Sequence, residues 1–316
     1  MRKIYLWYII SILVILNLIT LYFLIISRNA DALANGQNTY QYISPRIAWI
    51  DVDDFLQKQK SMTVSYTDLK QQLLLQIEEM NVSGNYGIYF EDLTTGAWVG
   101  INETETFYPF SLLKVPVLVA VLKKVQDENL TLEDRVTIKP EYLDSHSGTL
   151  YLKGAGYSPT IEELLDYLII ESDNTAVLTL SNSVLSEDDI YYADIAMGLV
   201  SPTTSNTQPV LSAKEYSNIF RSLYYSTYLR RDFSELALIL MMNTSYDTQL
   251  PAGIPPEVKM SHKIGYYIEQ GYYHDCGIVY ATPNPYLICV MTSNFTRAEA
   301  DRFISTISKT VYDYAS

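Results

Sequence analysis

The stretch FYPFSLLKVPVLVAVLKKV, residues 107–125, sets Ser111 three residues before Lys114 at the head of an apolar run. Positions three apart on a helix lie one turn along the same face, so the hydroxyl and the amine point the same way. A hydroxyl is a poor nucleophile until a base takes its proton, and a lysine in low-dielectric surroundings has a depressed pKa and can be that base. The same residues also read as a plain helix start, with Ser111 as the cap and Lys114 reaching for solvent. A second group, Ser172-Asp173-Asn174, stands in LLDYLIIESDNTAVLTL, where Asp173 also fits as the cap of the following helix. A third, His262-Lys263-Ile264-Gly265, lies in a strand-like run. There Lys263 reads as a solvated edge residue, and Gly265 lets another backbone or a ligand approach closely. Each group alone has a structural explanation. The three in this order are far less expected by chance.

Bringing them together is the task of the surrounding elements. DLKQQLLLQIEEM (68–80) has apolar spacing of about 3.6 residues and predicts a helix. NYGIYFEDL and AWVGIN flank Thr94-Thr95-Gly96 and predict a hairpin. Helices are expected over 111–126, 160–170, 173–184, 187–197, 213–228 and 232–243. EVKMSHKIGYY, DCGIVYA and YLICVMTS predict three more strands, and Arg297 to Tyr314 a closing helix. Strands at both ends of the domain must meet to share a core. The expected fold is therefore α/β (α+β): a five-stranded antiparallel sheet flanked by helices, beside an all-helical lobe inserted in the middle. A cleft between sheet and lobe is a sensible place for a site.

Hydrophobic residues make up 48% of the 316 and charged ones 18%, which suits a folded core. A net charge of −14 argues against a nucleic-acid partner, whose phosphates need Lys and Arg. Residues 4–26 are 23 in a row without a charge, preceded by Arg2 and Lys3. That is long enough for a transmembrane helix. Ala32-Leu33-Ala34 resembles a cleavage site, but a secretory apolar core runs only about 7–15 residues, so an uncleaved anchor is expected. Arg2 and Lys3 would stay in the cytoplasm, although Arg28 on the far side reduces the asymmetry, and the rest of the chain would lie outside the cell. Residues 27–62 read as a spacer with some local order, and 63–316 as one domain. Two cysteines, Cys276 and Cys289, fall in consecutive strands; with TPNP (282–285) as the turn they sit at diagonal positions, which leaves both a disulfide and two buried thiols open. His146, His262 and His274 show no ligand pattern, so neither a metal nor a cofactor is expected.

S-x-x-K, S-D-N and K-T-G are the motif set of class A β-lactamases and penicillin-binding proteins. With Ser111–Lys114, Ser172–Asn174 and its SDNTA continuation, Lys263–Gly265 and the hairpin before the last helix, the region from about residue 63 to 316 resembles the class A β-lactamase-like serine hydrolases. The resemblance implies that Ser111 is the acylated nucleophile and Lys114 its proton acceptor. It implies that Ser172 relays a proton to the leaving nitrogen, that Asn174 binds the substrate's amide side chain, and that Lys263 attracts its carboxylate beside Gly265. The oxyanion hole would come from the backbone N–H groups of Ser111 and Tyr266.

Two departures qualify the resemblance. Ile264 stands where K-T-G has a hydroxyl residue. The family's β-lactamases also carry a long loop with a Glu that activates the deacylating water, whereas GLVSPTTSNTQPV (198–210) contains no Glu or Asp. Glu187, Asp188 and Asp189 read as helix-start residues and Glu215 lies in a later helix. The leading expectation is a membrane-anchored hydrolase acting through Ser111 on a β-lactam or a peptidoglycan-like acyl peptide, with slow deacylation. The alternatives are a D,D-peptidase or penicillin-binding protein that traps β-lactams, and a non-catalytic cell-wall sensing module. Retention of Ser111, Lys114, Ser172, Asn174 and Lys263 speaks against the last.

Overall fold

The computed structural model describes residues 40–44, 66–128, 130–199 and 209–316. The expected anchor at 4–26 and most of the spacer lie outside these residues, and no described helix is long and apolar enough to cross a membrane. Tyr42–Ser44 pack with the compact unit that runs from Ser61 to the end of the chain. The Tyr42 amide donates to the Glu235 carboxylate at 2.9 Å and the Ser44 amide to the Tyr224 carbonyl at 2.7 Å.

The expected sheet is present. Strands β1 (Asn85–Asp92), β2 (Trp98–Ile101), β5 (Met260–Tyr267), β6 (Tyr272–Val279) and β7 (Tyr286–Ser293) form one antiparallel sheet in the order β2-β1-β7-β6-β5. Thr106–Phe107 (β3) and Leu211–Ser212 (β4) make a separate short pair. The central β7, YLICVMTS, is buried along its whole length, as a strand covered on both faces must be. Helices α1 (Thr67–Met80) and α8 (Arg297–Ala315) cover one face. Leu69, Leu73 and Ile77 of α1 join Phe303, Ile304 and Ile307 of α8 on Ile88, Phe90, Ile288 and Val290 of the sheet. Each such side chain contributes roughly 1.5–3 kcal/mol by leaving water.

The lobe contains α2 (Lys114–Asp127), α3 (Ile161–Ile169), α4 (Asn174–Ser183) and α5 (Glu187–Ala196), followed by α6 (Ala213–Tyr225) on the sheet's second face and α7 (Arg231–Met242) against β5. Its boundaries follow local chemistry. Thr160–Glu163, Ser186–Asp189 and Ser212–Glu215 are reciprocal capping boxes, as is Thr296–Glu299 at α8. Helix α6 stops three residues short of the expected 228, because Ser226 turns left-handed at φ 52°. β5 starts at Met260 rather than Glu257, after a turn closed by the Val258 amide on the Pro255 carbonyl. β6 starts three residues earlier than expected, at Tyr272.

The cysteine register differs from expectation. Val279 pairs with Tyr286, so the connection is Tyr280–Pro285, longer at its start than the expected 282–285. That change slides the partners by two positions and sets Cys276 directly opposite Cys289, where the two are joined as a disulfide.

Edge strand β5 lies against the turn that carries Ser111. A Cβ built on Gly265 would stand 2.6 Å from the Pro109 carbonyl oxygen, so the two backbones touch only because position 265 is glycine. Gly265→Ala must separate them, at a cost of about 1–3 kcal/mol. Denaturant midpoints of the two proteins check this; equal midpoints would contradict the close approach.

Candidate active site

Ser111 does not cap a helix. It lies in a 3-10 turn, Phe110–Leu113, that passes directly into α2 at Lys114. Pro116 lacks an N–H and cannot give Leu112 the usual i+4 bond. The Leu112 carbonyl instead accepts the buried Tyr216 hydroxyl at 2.9 Å. Phe110 is left-handed (φ 49°), a costly state for a bulky residue that persists only when its surroundings hold it. Phe110 stacks on Tyr267, with centroids 5.1 Å apart, and tilts against Tyr272 at 5.2 Å. Two residues earlier, the Tyr108 carbonyl accepts from Nε2 of the fully buried His274, whose Nδ1 accepts the Thr292 amide at 3.2 Å. Burial lowers the His274 pKa to about 4, so it stays neutral and keeps this tautomer.

Lys114 is 4% exposed and sits at the centre of the site. Its Nζ donates to Ser111 Oγ at 3.2 Å, to Ser172 Oγ at 3.2 Å, to Asn174 Oδ1 at 2.8 Å and to the Ser172 carbonyl. An ammonium has three protons for these four acceptors, so the hydrogen bonds are shared. Ser172 is also left-handed (φ 54°), and this turns both its carbonyl and its hydroxyl toward Lys114. Asp173, expected as a cap, accepts the Ala176 amide at 2.8 Å and also the Leu150 amide at 2.7 Å. Lys263 is fully buried rather than solvated, and donates to Ser172 Oγ and to the Ile264 carbonyl, each at 3.0 Å. The Tyr246 ring lies 5.9 Å from its Nζ. Ile264 points the other way, into a cavity of about 50 Å³ shared with Tyr246 and Gln249.

Burial depresses both lysines. Lys114 falls to about 8, with Asp173 and Asp144 opposing the shift, and Lys263 falls to about 7, pushed further by the charge on Lys114 and opposed by Asp275. Interacting groups of this kind titrate as a pair.

Ser111, Lys114, Asn174 and Tyr266 line one open cleft of about 530 Å³, and Ser172 and Lys263 meet them from beneath it. Tyr266 lies on the edge strand, beside the turn that carries Ser111, so both expected oxyanion donors belong to elements that border the cleft. Three contributors were not read from the sequence. Asp144 accepts Asn174 Nδ2 at 3.1 Å and His146 Nδ1 at 3.1 Å, and Ser147 Oγ donates to the Ser172 carbonyl at 2.8 Å. The signal was the polar run Asp144-Ser145-His146-Ser147-Gly148 between two helical regions; Gly148 (φ 85°) lets this loop lie on Asp173.

An antiparallel sheet and a helical lobe meeting at a Ser-Lys-Ser-Lys network at the floor of a cleft define an α/β domain of the serine-hydrolase type. The comparisons place it further. A family model described as the beta-lactamase enzyme family matches residues 68–315. β-Lactamase VEB-1 of Pseudomonas aeruginosa is 25% identical over 247 residues, covering 68% of this chain and 80% of that protein. PBP-A superposes with a TM-score of 0.71 at 23% identity, covering 79% of this chain and 96% of that one. A β-lactamase of Xanthomonas campestris pv. campestris gives 0.71 at 19%, covering 78% and 99%. These two structures share the fold. The chain belongs to the beta-lactamase enzyme family.

A lysine takes a proton only when neutral, so raising the pH through its pKa should raise the reactivity of Ser111. Its acylation rate is expected to climb by close to tenfold per unit below about pH 7 and to level off above about pH 8, following the two lysines. A rate constant that stays flat from about pH 6 to pH 9 would rule out Lys114 as the base.

Proposed function

We propose that the protein is a membrane-anchored, extracytoplasmic serine hydrolase that transfers the acyl group of a β-lactam or related cell-wall peptide to Ser111 and releases it slowly. The observation that carries this reading is a single buried amine, Lys114 Nζ, 3.2 Å from both Ser111 Oγ and Ser172 Oγ. Neutral Lys114 takes the Ser111 proton as Oγ attacks the carbonyl carbon. The carbonyl electron pair moves onto oxygen and is held by the Ser111 and Tyr266 N–H groups. When the intermediate collapses, the C–N bond breaks and the nitrogen receives a proton from Ser172, which Lys114 replenishes. Asn174 holds the acyl donor's amide, and Lys263 keeps the Ser172 hydroxyl directed to this task. The product is an ester on Ser111.

Hydrolysis of that ester needs a base for water. No Glu or Asp occurs in 198–210, and Asp144 is committed to Asn174 and His146. This favours the second reading, a D,D-peptidase or penicillin-binding protein in which β-lactams are trapped. A variant of PBP-A, similar to this chain in fold, has been solved as an acyl-enzyme complex with penicillin G.

Timed intact-mass measurement with a fluorescent penicillin tests both readings. An adduct persisting for minutes or longer is expected. Ser111→Ala should abolish it and Lys114→Ala should slow its formation by about a hundredfold or more. Many rapid turnovers of nitrocefin would overturn slow release, and failure to form any adduct would leave the non-catalytic module.

Residues 4–26 carry the proposed anchor. Protease added outside intact cells should digest the domain, and the protein should fractionate with membranes. A soluble secreted form beginning near Asn35 would show cleavage instead.

A further inference from the structure

The cleft rim beyond Gly265 is built by Tyr266, Tyr267, Ile268 and Glu269. Phe110, next to Ser111 in the chain, stacks on Tyr267 with the ring planes 17° apart, and the Tyr267 hydroxyl donates to the Glu269 carboxylate. A continuous linkage therefore runs from Ser111 through the strained Phe110 and Tyr267 to a carboxylate at the mouth. It holds that charge at a set position relative to the nucleophile, which reduces the ordering cost of a partner that binds it.

The rest of the lining does not offset this charge. Besides Glu269 and the phenols of Tyr266 and Tyr267, its ionisable side chains are Lys114, buried and engaged with four acceptors, and His146, tied to the Asp144 carboxylate. Lys263 has no exposed surface. Arg297, behind the rim, borders the separate cavity at Ile264 and pairs with Asp301 at 3.6 Å. Among the described residues, the exposed rim of the cleft therefore presents a carboxylate without a matching cation, which attracts positive groups and repels negative ones.

We propose that Glu269 is a specificity-determining residue, selecting acyl donors that bear an ammonium group over donors that lack one. The proposal rests on acylation of Ser111 as set out above. The carboxylate is exposed, so its preference is a few-fold and is screened by salt.

Ampicillin and benzylpenicillin differ by one α-ammonium group and serve as the probes. Second-order acylation rate constants are measured for both on the full-length protein in detergent. In the wild type, ampicillin should react faster. Glu269→Gln, which keeps the shape and removes the charge, should lower the ampicillin-to-benzylpenicillin ratio by about two- to fivefold, and Glu269→Lys should lower it further. About 0.5 M salt should bring the wild-type ratio toward that of Glu269→Gln. Adducts with both probes but an unchanged ratio in Glu269→Gln would overturn the selectivity and leave acyl transfer standing. Absence of an adduct with either probe in the wild type would overturn acyl transfer itself, and this proposal with it.

Discussion

Two lysine amines buried against one serine hydroxyl set the conditions for everything around them. Lys114 and Lys263 both donate to Ser172 Oγ, and neither has more than 4% of its surface exposed. Burying one ammonium is costly, and a second nearby adds repulsion. A salt bridge would relieve the strain, but it would also lock Lys114 in its charged form. Among the described residues neither lysine has a carboxylate partner within ion-pair distance, whereas Asp173, Asp144 and Asp275 act on them from further away. Neutral oxygens satisfy the protons instead: two serine hydroxyls, the carbonyls of Ser172 and Ile264, and the Asn174 amide. The amines stay bonded and remain able to lose a proton near neutrality.

That balance needs a rigid frame, which comes from both halves of the domain. The lobe supplies left-handed Ser172, and the loop at 144–150 ties to Ser172, Asp173 and Asn174. The sheet supplies Lys263, the contact at Gly265, and His274 beneath Tyr108. Helix α6 adds the Tyr216 hydroxyl at the carbonyl that Pro116 leaves open. The turn bearing Ser111 is therefore held from three directions. A residue such as Phe110 keeps its strained backbone because moving it would break several contacts together.

Ile264 shows how one substitution alters a site without dismantling it. Its side chain lines the small cavity beside Tyr246 and Gln249 rather than the cleft of Ser111, while its backbone carbonyl receives Lys263. The backbone part of the motif is intact and the hydroxyl is absent. In the second reading, acyl transfer persists while recognition of the donor and release of the acyl group change, because these depend on different side chains.

Much of this was legible in the chain itself. Runs such as NYGIYFEDL and YLICVMTS marked the strands, and apolar spacing of about 3.6 residues over 68–80 marked a helix, because both signals depend on neighbours within one or two turns. The order of the three motifs marked the candidate residues. What the sequence could not decide was set by contacts between residues far apart along the chain. Whether Lys263 was a solvated edge cation or a buried one depended on the lobe that covers it. Whether Cys276 met Cys289 depended on where the hairpin turned. The stack of Phe110 on Tyr267 joins residues 157 positions apart (267 − 110), and no local period encodes it. Local propensity determined which elements form, and motif order marked which residues are candidates for the chemistry. Close packing of sheet against lobe decided which of those residues meet, how deeply they are buried, and hence how readily their protons move.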